Sequence, residues 1–309
     1  MGMSECVLTL VAAERGGSQI AFAADEAKRA LADLGARVDG IDWLAPLLAC
    51  DIPFADLAPD QADAAIRAAF AQSSEPVKID VLAQQADGRR KALLIADMEA
   101  TIIANEMLDE LAAIKGIGAQ IAAITARAMN GEVDFAEALR ERVALLEDMP
   151  ESVLAEAASR IRITPGAQAL VATMRAHGAY AALVSGGFRV FADQVRDRIG
   201  FDLAVANELI VENGKLAGAV REPVLGREAK LATLTLLAVE RGLAFDAVLA
   251  VGDGANDLAM IEAAGMGVAY RAKPVVAAQA RLRVDHADLT ALLYAQGYRE
   301  DEIVGALPS

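Results

Sequence analysis

Two apolar runs that each end in acid constrain this chain more than any other feature. Ala247-Val248-Leu249-Ala250 leads directly into Val251-Gly252-Asp253-Gly254-Ala255-Asn256-Asp257, and Ala92-Leu93-Leu94-Ile95-Ala96 into Asp97-Met98-Glu99-Ala100-Thr101. Short continuous apolar runs with such boundaries read as strands buried on both faces of a parallel sheet. As neighbours they would bring Asp97, Glu99, Asp253 and Asp257 to the carboxyl edge of that sheet, where open α/β folds bind ligands. At about 4 Å and an effective dielectric near 20, each like-charge pair costs roughly 4 kcal/mol. The cluster therefore calls for a cation. Mg2+, a hard ion that takes one or two carboxylates together with phosphate oxygens, meets that demand.

From Lys91 onward, strand candidates at 92–97, 179–184, 202–206, 247–251 and 266–270 alternate with helical patterns. This alternation predicts an α/β fold with a parallel, doubly wound (Rossmann-like) sheet. The interval between the first two strands is too long for one crossover. Residues 105–162 hold amphipathic patterns over Glu106–Ile114, Ile117–Met129, Phe135–Leu146 and Glu151–Ile161, punctuated by Gly116, Gly131 and Pro150, which predicts a helical cap inserted over the acidic edge. A hairpin is expected at Glu208–Val220 around Asn213-Gly214. Residues 1–86 read as a separate small α+β unit ahead of a second, larger unit at 87–309 that carries both acidic strand ends. Its expected elements are strands Val7–Val11, Arg37–Leu44 and a half-exposed Val77–Leu82, with helices at 24–34 and Pro59–Gln72, and a linker at Gln84–Lys91.

The chain has 309 residues, 29 basic and 44 acidic, for a formal charge of -15, which argues against nucleic acid or an anionic membrane as partner. No apolar run approaches the roughly 18 residues of a membrane span, and the start lacks a signal-peptide layout, so a cytoplasmic location is expected. Cys6 and Cys50 give neither a disulfide framework nor zinc spacing. His177 and His286 lie far from the acidic motifs, leaving carboxylates as proton carriers. Asp97 can attack phosphorus, and Glu99 can protonate the leaving alkoxide and then activate water. Asp253 and Asp257 would complete a metal site, although Asp257 alone also reads as a helix N-cap. Ser185-Gly186-Gly187 ends a strand with a hydroxyl and free amides, a common loop unless a phosphate is near. Lys230, near a helix start, reads alone as a solvated lysine and gains weight because the site otherwise lacks a protein cation.

In this order, Asp97-Met98-Glu99-Ala100-Thr101, Ser185-Gly186-Gly187-Phe188, Lys230 and Gly252-Asp253-Gly254-Ala255-Asn256-Asp257 resemble the motifs of the haloacid dehalogenase superfamily of aspartate-dependent phosphohydrolases. The resemblance covers about 91–297 and is sharpest to the members that hydrolyse O-phospho-L-serine, the last step of serine biosynthesis. It implies Asp97 as nucleophile, Ser185, Gly186 and Lys230 on the phosphoryl group, and Asn256 in the same pocket. It also implies Mg2+ on Asp97, the Glu99 carbonyl and Asp253, with Asp257 in support. Glu106-Met107-Leu108-Asp109-Glu110-Leu111-Ala112 and Leu139-Arg140-Glu141-Arg142-Val143-Ala144-Leu145-Leu146 resemble the cap segments that hold the amino acid. Glu106 would take its ammonium and Arg142 its carboxylate, with Met129 and Phe135 as an apolar lid wall. By spacing alone, Glu106 and Arg142 read first as a solvated helix face.

Two residues depart from the family pattern: Glu99 stands for Asp and Ala100 for Ser. The alternatives to phosphoserine hydrolysis are a phosphatase or phosphotransferase on another small monoester, or a weakened serine-binding sensor. An ion-pumping ATPase, which shares the aspartyl-phosphate, is disfavoured by the lack of membrane helices. The first unit faintly resembles amino-acid-binding regulatory modules and reads equally as a packing or homodimerisation module.

Overall fold

The computed structural model describes residues 5–16, 18–73, 77–130 and 132–305, with the side chains of Ser18 and Met129 outside the description. A six-stranded sheet runs in the spatial order Leu282–Val284, Met266–Tyr270, Val248–Gly252, Leu93–Ala96, Tyr180–Phe188, Leu203–Asn207, and every neighbouring pair is parallel. Successive side chains alternate between faces. Leu93, Ile95, Val248 and Ala250 pack with Leu234 and Ile261 on one side, while Leu94, Ala96, Leu249 and Val251 pack with Leu170 and Phe191 on the other. Two buried faces explain the unbroken apolar runs, each large side chain contributing about 1.5–3 kcal/mol on burial. The Leu282–Val284 strand escaped the sequence reading because it is short and flanked by Arg281 and Asp285.

Between the first sheet strand and the Ala167–Ala176 helix lie helices Met107–Lys115, Gly118–Met129, Phe135–Ala144 and Ser152–Ala158. Asp134 starts the third, its carboxylate accepting from the Glu137 amide at 2.7 Å. The cap is not purely helical. A hairpin, Leu209–Glu212 with Lys215–Val220, turns through Asn213 and Gly214, both at positive φ, and lies against it. The Asp148 amide donates to Leu216 O and the Glu151 amide to Gly214 O, and buried Leu216 joins the cap's apolar core.

Ahead of this sheet, Arg37–Val38, Ala49–Ala55, Cys6–Ala12 and Ile79–Gln85 form an antiparallel sheet in that spatial order, with Asp42–Ala45 also paired to Ala49–Ala55. Helices Ser18–Asp33 and Pro59–Ala71 cover one face through Ile20, Leu31, Ile66 and Phe70. Several expectations for this unit need correction. Its first helix starts at Ser18, well before residue 24, and the expected Arg37–Leu44 strand breaks into two pieces around Gly40. The Ala49–Ala55 strand was hidden by Asp51 and Pro53. Asp51 is buried in the sheet because Thr9 donates to it at 2.6 Å and Arg89 pairs with it at 2.7 Å. The last strand reaches Gln85 and is buried on both faces rather than half-exposed, since Leu82, Val11 and Ala49 meet Leu292 in the larger core. Gln84, expected in a linker, is buried and donates to Ala295 O at 2.7 Å. Asp80 accepts from the amides of Asp285, His286 and Ala287, joining the two sheets directly.

Cys6 and Cys50 are free and buried. Among the described residues, no helix is long and apolar enough to cross a membrane.

Candidate active site

Register sets the site. Ala96 pairs with Val251 on one side and Leu183 on the other, so Asp97, Asp253 and Ser185 emerge just beyond the same level of three adjacent strands. Asp97, Asp253 and Asp257 offer oxygens that all lie within 4.8 Å of one another. Three carboxylates at that spacing suit a hard divalent cation.

Lys230 projects into this cluster from the first turns of the Arg227–Glu240 helix. Its Nζ lies 2.7 Å from Asp97 and 2.5 Å from Asp257, and all three side chains are buried. Burial opposes the ammonium charge, but Asp97 and Asp257 together hold the Lys230 pKa above the ordinary lysine value. Burial lifts the Asp97 carboxyl to about 7 against the attraction of Lys230, with Asp257 adding to the rise. Burial and then Asp257 raise Asp253. Asp257 occupies the N-cap position of the Leu258–Ala263 helix without capping it. Its second oxygen accepts from the Gly254 amide at 2.9 Å.

Glu99 does not join the three aspartates. Its carboxylate turns toward the cap and accepts from the Met107 amide, at the start of the Met107–Lys115 helix, at 2.8 Å. Burial first, then repulsion from Glu106, lifts this group to about 8. Ser185 is buried, and its hydroxyl accepts from the Gly187 amide at 2.9 Å. The Ser-Gly-Gly segment lies at the end of the Tyr180–Phe188 strand, as its sequence suggests, and not in the alternative loop; the register shifts there between Val184 and Phe188.

A cavity of about 120 Å³ opens between sheet edge and cap. Asp97, Glu99, Gly186, Asp253 and Asn256 line its core side, and Glu106, Phe135 and Arg142 its cap side. Glu106 and Arg142 therefore face the cavity and not bulk solvent alone. Burial, then Asp253 and Asp109, raise Glu106, while Lys273 and Arg142 hold it down. Burial lowers Arg142 against the pull of Asp109 and Glu106. Phe135 plugs one side: a Cβ added at Gly186 would lie 3.0 Å from its ring, and one at Gly226 3.2 Å. The Met129 side chain, expected in the same wall, lies outside the described residues. Lys273 also lines the cavity and was missed by sequence reading; the only signal was a lone lysine before Pro274.

A model of haloacid dehalogenase-like hydrolases matches residues 94–262, which contain the three strand ends, the cap and Lys230. A phosphoserine phosphatase from Archaeoglobus fulgidus is 41% identical over 219 residues, covering 70% of this chain and 64% of its own length. The chain thus spans somewhat less than two thirds of that relative. Among solved structures, a HAD family hydrolase from Salmonella enterica serovar Typhi superposes with a TM-score of 0.83 at 27% identity, covering 97% of this chain and 99% of its own. A phosphoserine phosphatase carrying a phospho-aspartyl intermediate analogue gives a TM-score of 0.62 at 37% identity over 66% of this chain and 98% of its own. The sheet with its cap and the match over 94–262 lead to one assignment: the chain belongs to the haloacid dehalogenase-like hydrolases.

Proposed function

We propose that this chain hydrolyses O-phospho-L-serine to serine and phosphate through an aspartyl-phosphate on Asp97. The observation that carries the reading is the small cavity with Asp97 at its core end and the Glu106/Arg142 pair at its cap end. A cavity of about 120 Å³ suits a ligand well below drug size. The opposed acid and guanidinium match an ammonium and a carboxylate on one carbon. The phosphoserine phosphatases similar to this chain support the same substrate.

Asp97 attacks phosphorus as the bond to the serine oxygen breaks, and Glu99 delivers the proton that the departing alkoxide takes. Glu99, now a base, removes a proton from water, which attacks phosphorus and returns the Asp97 carboxylate. Lys230 fixes Asp97 and balances phosphoryl charge, Gly186 and Asn256 line the cavity where the phosphoryl oxygens would rest, and buried Ser185 would reach them from just behind that lining. The aspartate triad fits Mg2+, which Asp97, Asp253 and the Glu99 carbonyl would hold with Asp257 in support. When bound, the ion would neutralise phosphoryl charge. Phe135 would exclude water from the closed cavity.

The reading makes the protein a cytoplasmic enzyme of a small metabolite, with a boundary between its two units near residue 86. The burial of one face of the first sheet against the larger core supports a packing role for residues 1–86, with homodimerisation as the alternative.

The test is phosphate release from O-phosphoserine and from a panel of monoesters, with Mg2+ and with chelator. Turnover requires Mg2+ and is lost in Asp97→Asn. Arg142→Ala raises KM for O-phosphoserine about tenfold or more while sparing a monoester without a carboxylate, the loss expected for one buried charge-assisted contact. Equal activity on all monoesters, or indifference to Arg142→Ala, would overturn the substrate; tight serine binding without turnover would make the protein a sensor.

A further inference from the structure

Among the described residues lining the cavity, four carboxylates, Asp97, Glu99, Glu106 and Asp253, face two cations, Arg142 and Lys273. Lys230 stands behind the wall, engaged with Asp97 and Asp257. The Mg2+ proposed at the aspartates would offset Asp97 and Asp253 at the inner end, so on a chain of formal charge -15 the remaining field at the rim is set by Glu106, Arg142 and Lys273. Arg142 belongs to the cap helix Phe135–Ala144, whereas Lys273 belongs to the core side and is exposed, directly ahead of the short Pro274–Ala277 helix.

The backbone at Lys273 is well anchored. Its amide donates to Asp253 O at 3.2 Å. Two residues earlier Arg271, at φ 43°, donates its amide to Val284 O at 2.7 Å and its guanidinium to His286 O and Ala287 O at 3.1 and 3.2 Å. A fixed root with an exposed ammonium gives reach without loss of position. The charge of Lys273 falls on Glu106 from the cap and on Asp253 from the core, while Asp253 itself repels Glu106 across the seam. Lys273 thus lines the same cavity as these two like charges, one on the cap and one on the core, and its charge acts on both.

We propose that Lys273 is a specificity-determining residue: its ammonium meets the anionic substrate at the mouth and spans the seam between Glu106 and Asp253 when the cap closes over it. The inference rests on the phosphoserine reading of the site and adds to it a residue on the core side that selects for anionic substrate at capture rather than in the chemical step.

The experiment compares wild type, Lys273→Met and Lys273→Arg on O-phosphoserine with Mg2+ at low and high salt, alongside thermal melts. Losing a charge at the rim acts on capture and on salt dependence, so Lys273→Met should raise KM about tenfold, leave kcat within about twofold and flatten the fall of kcat/KM with salt. Lys273→Arg should restore KM to within about threefold, because it keeps the charge. Unchanged KM and salt dependence in Lys273→Met would overturn the proposal. So would a fall in kcat at constant KM, or a lowered Tm that Lys273→Arg does not restore, which would mark a merely structural residue. If the wild type does not turn over O-phosphoserine, the functional reading fails separately. Calorimetry with inorganic phosphate then decides the matter for Lys273, weaker binding by Lys273→Met supporting it and equal binding overturning it.

Discussion

Lys230→Met probes the charge balance on which the site depends. Lys230 is 1% exposed, with its ammonium 2.7 Å from Asp97 and 2.5 Å from Asp257. At such distances and an effective dielectric near 20, each contact carries roughly 6 kcal/mol of Coulomb attraction, most of it offset by the desolvation of the charges. Removing the cation leaves two buried carboxylates facing one another, a change that typically costs about 3–5 kcal/mol. For a chain of this size that corresponds to a fall in Tm of about 6–20 °C. Asp97 is already lifted to about 7 by burial and would rise further without the lysine, so protonation relieves the repulsion at low pH. The deficit should therefore be large at pH ~8.5 and small at pH ~6 in metal-free protein. Adding Asp257→Asn removes one of the two charges while keeping an oxygen for the Gly254 amide. The double variant should recover about half of the lost Tm and no kcat, because the cation proposed for the phosphoryl group is still missing. Calorimetric melts in chelator at both pH values, paired with phosphate-release assays, measure all of this. A single variant melting within about 2 °C of wild type at the higher pH, or a double variant melting below the single, would refute the reasoning.

Gly226→Ala should disturb cap closure, since its new Cβ would sit 3.2 Å from the Phe135 ring. KM should rise about threefold to tenfold with Tm nearly constant, read by steady-state kinetics and melts. Stability of the metal-free protein should fall as pH rises. Asp97 at about 7 and Glu99 at about 8 bind more protons folded than unfolded, so their stabilising protonation is complete below the ordinary carboxylate range and lost through pH ~8. Melts in chelator across that range test the sign, and a Tm that climbs with pH would contradict it. Glu99→Asp shortens the arm that reaches the Met107 amide and should speed hydrogen exchange across Met107–Lys115, whereas Glu99→Gln should preserve protection. Equal exchange in the two variants would show that this bond does not anchor the cap.

The legible parts of the fold were those in which one residue pattern answers to one environment. Leu93–Ala96 and Val248–Gly252 are buried on both faces, so their sequences are uniformly apolar and their acidic ends stand out. The cap helices carry plain amphipathic stripes, such as Leu139 and Val143 inward with Arg140 and Glu141 outward. Where burial depends on partners far along the chain, the pattern misleads. Asp51 reads as a strand breaker until Thr9 and Arg89 satisfy it, and Gln84 reads as linker until Ala295 receives its amide. The same limit hid Lys273, whose sequence neighbours give no hint that it lines one cavity with Glu106. Asp257 was legible as an acid at the right place, and its bond from the Gly254 amide is local, but its tie to Lys230 comes only from the packing of the Arg227–Glu240 helix against the strand end.

The departure at position 99 gains a physical explanation from the same geometry. An aspartate there would end one methylene short of the Met107 amide, whereas Glu99 reaches the cap helix from the core and holds its first turn at 2.8 Å. The longer arm needs room, and Gly187 provides it: a Cβ at that position would lie 2.7 Å from the Glu99 carboxylate. The group assigned to proton transfer is thereby also a contact between cap and core. The bond requires the Met107–Lys115 helix to stay seated, so displacing that helix would free the carboxylate. A catalyst built this way couples the position of its acid to the position of its lid. In the proposed hydrolysis, using one carboxyl twice, first to donate to the leaving oxygen and then to accept from water, requires the group to stay within reach of both while the cap remains shut. Nothing in the structure accounts for Ala100 in place of serine; its φ of 53° places the turn out of the sheet in the left-handed region regardless of the missing hydroxyl.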